Sequence, residues 1–241
     1  MADPIKLGIA GLGTVGAGLI KIVQNNAGLL TTRAGRPIEI TAVSARSKSK
    51  DRGVDLSAYA WEDDAVELAK RDDVDVFVEL IGGDAGPAKA ATEAAIAAGK
   101  HVVTANKAML ALHGQELALA AEAANVNLRF EAAVAGGIPV IKTLTQSLAG
   151  NNIIRIMGVM NGTCNYILTR METAGLPYDD VFEEANQLGY LEADPNLDVG
   201  GIDAAHKLVL LSSIAYGTQV DFEGAVLEGI GRITIEDIHA A

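Results

Sequence analysis

Apolar runs and helical periodicities alternate along the first half of the chain. Ile5 to Ala10 is a short, almost wholly apolar run and reads as a buried strand. Beyond the segment from Gly11 to Gly16, the apolar positions Val15, Leu19, Ile22 and Val23 recur at helical spacing. Ile38 to Val43 is a second β-like run and completes a βαβ unit. A helical stretch around Asp63 to Lys70 and a strand over Val74 to Leu80 follow. Pro87 suits the first position of a helix that covers Ala88 to Ala98 and closes at Gly99. His101 to Thr104 is a fourth strand, Gly114 to Ala124 a helix, and Leu128 to Ala132 a fifth strand. This alternation predicts an α/β fold with a doubly wound parallel sheet.

The pattern changes near Gly136-Gly137-Ile138-Pro139. A strand over Ile153 to Met160 is expected next, then helices over Asn165 to Thr173 and Tyr178 to Leu188. An acidic, turn-rich loop runs from Gly189 to Gly201, ahead of a long helix over Ile202 to Tyr216. The reading gives two domains. Residues 1–135 form the doubly wound one, and residues 136–241 an α+β domain that is C-terminally incomplete.

Composition narrows the function classes. With 241 residues, of which 49% are hydrophobic, the chain can bury a substantial core and general disorder is excluded. Asp and Glu total 31 against 19 Lys and Arg, a net charge of −12. Bulk charge therefore opposes binding to nucleic acid, yet leaves room for one local cationic pocket. The 26 glycines show no collagen-like period and point to tight turns or close backbone approach. Cys164 is alone and cannot form an internal disulfide, which fits a reducing compartment. No basic leader opens the chain. The longest candidate membrane stretch, Leu208 to Ala215, is far short of the roughly 18 residues a span requires. A cytoplasmic protein is expected. His101, His113, His206 and His239 lack metal-ligand spacing, so no zinc site is expected.

Gly11-Leu-Gly-Thr-Val-Gly16 spells G-x-G-x-x-G between a strand and a helix. Gly11, Gly13 and Gly16 would serve a tight turn, close approach to a pyrophosphate, and helix–strand packing. Thr14 and Val15 open the helix, whose N-terminus favours phosphate. This predicts a Rossmann-type dinucleotide site; a glycine turn made only for packing is the other reading. The second strand runs into Ser44-Ala-Arg46-Ser-Lys48-Ser-Lys50, with no carboxylate before Asp51. Arg46, aided by Ser44 or Lys48, would hold a ribose 2′-phosphate, so NADP is favoured over NAD. The other reading is a solvated basic loop.

Further motifs follow in order: Glu79-Leu-Ile-Gly-Gly83, Gly99-Lys-His-Val-Val-Thr-Ala-Asn-Lys107, Phe130-Glu-Ala, Gly136-Gly-Ile-Pro139, Asn161-Gly-Thr-Cys-Asn-Tyr166, Leu188-Gly-Tyr-Leu-Glu-Ala-Asp-Pro195 and Asp198-Val-Gly-Gly-Ile-Asp-Ala-Ala-His-Lys207. Asp203 and Lys207 stand at i, i+4 on one helix face, which by itself suits an ordinary surface ion pair. In order and spacing the set resembles homoserine dehydrogenase, from the first strand to the end of the chain. That family reduces aspartate β-semialdehyde to homoserine with NAD(P)H, on the route to threonine, methionine and isoleucine. The resemblance implies a cofactor domain, a substrate domain that also forms a homodimer, and a cleft between them. It implies that Glu192 and Asp203 bind the amino and hydroxyl ends of homoserine, with Asp198 in the same motif. Lys207 is implied as proton donor, and Lys107 as a second lysine beside nicotinamide and substrate. A monovalent cation such as Na+ is implied at mainly backbone oxygens of Glu131, Val134, Gly136 and Ile138. A plain interdomain turn is the other reading there.

The chemistry suits these residue types. Hydride arriving at an aldehyde carbon leaves an alkoxide that needs stabilisation and a proton, and a lysine supplies both. Carboxylates suit the substrate ammonium. A thiolate nucleophile at Cys164 is the rival chemistry, but a single cysteine is more often a small buried hydrophobe. Family members continue beyond residue 241, often into a regulatory domain, so the chain is read as truncated. A catalytically incompetent cofactor-binding fragment is the alternative function.

Overall fold

Six parallel strands form one sheet in the order β3-β2-β1-β4-β5-β6. The structure is a computed structural model and describes residues 2–191 and 194–241. The strands are β1 (Ile5–Ala10), β2 (Ile38–Ser44), β3 (Ala60–Glu62), β4 (Val76–Glu79), β5 (His101–Thr104) and β6 (Leu128–Arg129). Between them run α1 (Thr14–Asn25), α2 (Ala27–Ala34), α3 (Ala65–Lys70), α4 (Pro87–Ala97) and α5 (Lys107–Ala123). The chain divides into two compact units, Met1–Gln146 and Ser147–Ala241.

In the first unit alternate strand residues face opposite ways and feed two cores. Phe77 and Val102 pack with Leu68 of α3, Ala91 of α4 and Leu117 of α5 on one face. Leu7, Ile9 and Val78 pack with Ile20 and Val23 of α1 on the other. Helices on both faces make the sheet doubly wound, as the alternation predicts. Strand order reverses between β1 and β4, and ligands of such sheets sit beyond the carboxyl ends at that reversal.

Some local expectations shift. The helix expected from Gly114 opens at Lys107, because the Asn106 side chain caps it by accepting from Met109 N at 3.1 Å. The fifth expected strand shrinks to β6, since pairing with β5 reaches only Leu128 and Arg129. Glu131 already opens α6 (Glu131–Val134), which is followed by α7 (Val140–Lys142) and a π turn over Thr143–Ser147. β3 is three residues long, too short to show periodicity.

The second unit holds α8 (Gly162–Ala174), α9 (Tyr178–Gln187), α10 (Asn196–Val199), α11 (Ile202–Tyr216) and α12 (Ile235–Ala240). Ile167 and Met171 of α8 meet Val181 and Ala185 of α9, each pair one turn apart and fully buried. The strand expected over Ile153 to Met160 does not form. The segment is apolar enough, but a strand exists only as part of a ladder, and the sheet's ladders all lie in the first unit. Ile154, Met157 and Val159 are consequently exposed. Among the described residues no helix is long and apolar enough to cross a membrane.

Candidate functional site

The glycine turn lies at the strand-order reversal. Gly11 N donates to Ser44 O at 2.9 Å, and Leu80 N to Ala10 O at 2.7 Å, so the ends of β1, β2 and β4 converge there. Gly11 has φ +97°, and a Cβ on it would strike the Leu80 carbonyl. A Cβ on Gly16 would strike the Gly11 carbonyl. Gly13, the N-cap of α1, faces open space. Two glycines thus let backbone meet backbone, and the third keeps the helix N-terminus clear. No acidic side chain stands in the first turn of α1, and Gly13 offers no side-chain cap. The first N–H groups, beginning at Thr14 and Val15, therefore suit a phosphate.

Arg46 is exposed, two residues past the end of β2, with Lys48 and Lys50 beside it. Arg52, which the sequence reading passes over, pins this loop. Its Nε donates to Leu12 O at 3.1 Å, and its other nitrogens to Lys50 O at 2.7 Å and Ser47 O at 2.5 Å. Its guanidinium lies 5.6 Å from the Trp61 ring centroid, within cation–π range.

Lys107 is the first residue of α5, at the carboxyl end of β5, and is half-buried. A buried polar network sets that corner. The Glu79 carboxylate accepts from Ile81 N at 2.7 Å, from Gly82 N at 3.1 Å and from the Thr104 hydroxyl. Thr104 Oγ1 accepts from Asn106 N at 2.9 Å, and Asn106 Nδ2 donates to Gly83 O at 2.6 Å. Glu79 is fully buried, and its bonds offset the cost of burying a carboxylate.

Downstream, the Glu131 carboxylate accepts from Ile141 N at 2.7 Å and Lys142 N at 3.0 Å, so it caps α7. The carbonyls of Glu131 and Ile138 each accept one backbone bond, from Ala135 and Val140, which leaves each a second lone pair. Val134 ends α6 and Gly136 opens the turn that follows. Main-chain carbonyls are the oxygen donors that hard cations take. Among the described residues no cluster of three or more His, Cys, Asp or Glu side chains stands ready for a metal.

In the second unit, Asp198 on α10 and Asp203 and Lys207 on α11 come together around Asn161. Asn161 Nδ2 donates to Asp198 Oδ1 and to Asp203 Oδ2, both at 2.9 Å. Lys207 Nζ donates to Asp203 Oδ2 at 2.6 Å and to Met160 O at 2.7 Å. The Asp203 side chain is 5% exposed and that of Lys207 20%. This is no ordinary surface pair. A buried ion pair persists only when further hydrogen bonds satisfy it, which Asn161 and Met160 O provide. Glu192 lies outside the described residues.

Cys164 Sγ sits 3.3 Å from Asp198 O as a donor. Burial pushes its thiol up, and the charges of Asp198 and Asp203 push the same way. That is the reverse of what a thiolate nucleophile needs. Arg52, Glu79 and Asn161 are the residues the sequence reading missed. Asparagine just ahead of a helix is a legible cap signal, but nothing in the sequence says what its amide nitrogen bonds.

Residues 11–131 match the NAD-binding domain of homoserine dehydrogenase, and residues 139–241 match the homoserine dehydrogenase family itself. A homoserine dehydrogenase of Neisseria gonorrhoeae is 48% identical over 238 residues, covering 99% of this chain and 54% of that protein. The crystal structure of one from Thiobacillus denitrificans superposes with a TM-score of 0.93 at 46% identity, over 98% of this chain and 55% of that one. A hyperthermophilic archaeal homoserine dehydrogenase, solved in complex with NADPH, gives a TM-score of 0.81 at 28% identity, over 95% of this chain and 75% of that one. The chain spans about half the length of the curated relatives it matches. With a doubly wound sheet, a glycine turn at its reversal point and family matches over residues 11–131 and 139–241, the chain belongs to the homoserine dehydrogenase family.

Proposed function

We propose that this chain catalyses the reversible reduction of L-aspartate 4-semialdehyde to L-homoserine with a nicotinamide cofactor. The observation that carries the reading is the partly buried Lys207, held by the buried Asp203 and the Met160 carbonyl. An ammonium has three protons, and two of them are directed at these acceptors. The remaining one is the proton for the substrate. When bound, the reduced nicotinamide supplies the hydride to the aldehyde carbon. Lys207 donates to the oxygen of that carbonyl, first stabilising the developing alkoxide and then protonating it. Asp203 and Glu192 take the hydroxyl and ammonium ends of the amino acid, with Asp198 beside them. Lys107, projecting from the start of α5, adds a second cation at the reacting end.

NADP is the preferred cofactor over NAD. Arg46, with Lys48, holds the 2′-phosphate, while Gly11, Gly13, Thr14, Val15 and Gly16 hold the pyrophosphate. Support comes from the open space at Gly13 and from a basic loop in a chain of net charge −12. A monovalent cation such as Na+ sits at main-chain oxygens of Glu131, Val134, Gly136 and Ile138. Residues 1–135 form the cofactor domain and 136–241 the substrate domain. The protein works in the cytoplasm as a homodimer, in which a second copy covers exposed apolar residues such as Ile154 and Val159. Neither nucleic acid nor membrane is a partner.

The test is NADPH oxidation by the purified chain with aspartate semialdehyde. Turnover that needs both reactants is expected. NADPH binding without turnover would favour the second reading, a catalytically incompetent cofactor-binding fragment. That reading draws on the chain's matching only about half of its relatives' length.

A further inference from the structure

Two buried carboxylates, Asp198 and Asp203, share a single amide nitrogen. Asn161 Nδ2 is 2.9 Å from an oxygen of each. All three residues are at most 8% exposed. Like charges this close repel strongly where water is scarce, and the two amide hydrogens offset part of that repulsion by bonding one carboxylate each. The orientation of the amide is not open to choice. Its Oδ1 accepts from Cys164 N at 2.7 Å, which caps α8, so its NH2 must face the carboxylates. Asp203 Oδ2 receives both this amide and Lys207 Nζ, at 2.9 and 2.6 Å. The residue just before, Met160, anchors the same ammonium through its carbonyl at 2.7 Å.

The geometry points to Asn161 as the positioning residue of the reaction centre: it holds Asp198 and Asp203 together and, through Asp203 and its neighbour Met160, fixes where Lys207 presents its proton. This rests on the proposed function for its catalytic meaning. A helix cap alone does not call for asparagine, since serine and aspartate cap equally well. Only asparagine among these caps one helix and donates two hydrogen bonds from the same short side chain.

The experiment compares Asn161→Ser and Asn161→Asp with the wild-type full chain. Both keep a cap for α8 and lose the two amide donors; serine retains one shorter-reaching O–H that cannot serve both carboxylates, and the aspartate adds a third negative charge. In Asn161→Ser, kcat should fall about a hundredfold, the scale at which small misplacements of reacting groups act. NADPH affinity should be unchanged and the melting temperature should hold to within a few degrees. Asn161→Asp should lose more activity than Asn161→Ser. Retained kcat in Asn161→Ser would overturn the assignment and leave Asn161 a cap. A wild-type chain without turnover would sink the proposed function instead, and the geometry is then read from stability. Asn161→Ser should lower the melting temperature less in an Asp198→Asn background, where the repulsion is already gone. Strictly additive losses would overturn the assignment.

Discussion

Lys207 and Asp203 differ from a surface i, i+4 pair only in what surrounds them. Exposed, such a pair is worth about 0.3–0.5 kcal/mol. Here the carboxylate is buried and accepts from both Asn161 Nδ2 and Lys207 Nζ. Lys207→Ala removes the proposed proton donor but leaves Asn161 bonded to Asp203. Turnover should fall by about a hundredfold or more, in the range of general acid catalysis, while NADPH still binds, as checked by steady-state kinetics and fluorescence titration. Arg46→Asp puts a negative charge where a 2′-phosphate is expected. NADPH affinity should drop far more than NADH affinity, and equal losses for both would remove Arg46 from the discriminating role. Cys164 gives a pH prediction with a fixed sign. Burial raises its thiol, so the thiolate is scarcer at any given pH than in a free cysteine. Alkylation by iodoacetamide should be slower than for a free thiol at neutral pH and should rise only at a more alkaline midpoint. Rapid labelling at neutral pH would contradict the burial described for it.

Between residues and the whole stand the elements, and here backbone-to-backbone approach matters most. β1, β4 and α1 meet at Gly11 and Gly16 with no space for a Cβ. Gly16→Ala would force α1 away from the turn, at an overpacking cost of about 1–3 kcal/mol. A lower urea midpoint together with weaker NADPH binding is the expected pair of results. Normal cofactor affinity in that variant would mean that the turn tolerates displacement. The start of α5 is legible only once Asn106 is seen as its cap, which the sequence alone does not show. Glu79, by contrast, is a carboxylate closing an apolar strand. Its fitness for burial depends on Ile81, Gly82 and Thr104, and Thr104 is 25 positions away. The apolar segment over Ile153 to Met160 shows the opposite failure. Its composition favours a strand, but pairing is a property of two segments, and one segment cannot supply it.

The whole molecule carries a net charge of −12 with its positive groups partly gathered at the basic loop after β2. Self-repulsion of this kind opposes the compact state and is screened by salt. The melting temperature should therefore rise between about 0.01 and 0.15 M salt, over which the Debye length shrinks from about 30 to 8 Å. A fall over that range would show that screened attractions outweigh the repulsion. The roles of Lys107, Asp203 and Lys207 came with the family resemblance; by itself the sequence determined the sheet class, the glycine turn, the position of the basic loop and the placing of Asp203 and Lys207 on one helix face. These are local matters: a periodicity of two or of 3.6, a turn that needs glycine, an i, i+4 spacing. Only the tertiary structure decided that Asp203 is buried and Lys207 partly so, that Arg52 ties the basic loop to the glycine turn, and that Asn161 bridges two carboxylates 37 and 42 positions downstream. Those contacts depend on loops closing between distant segments. Burial and hydrogen-bond partners are properties of that closure and not of any stretch of sequence.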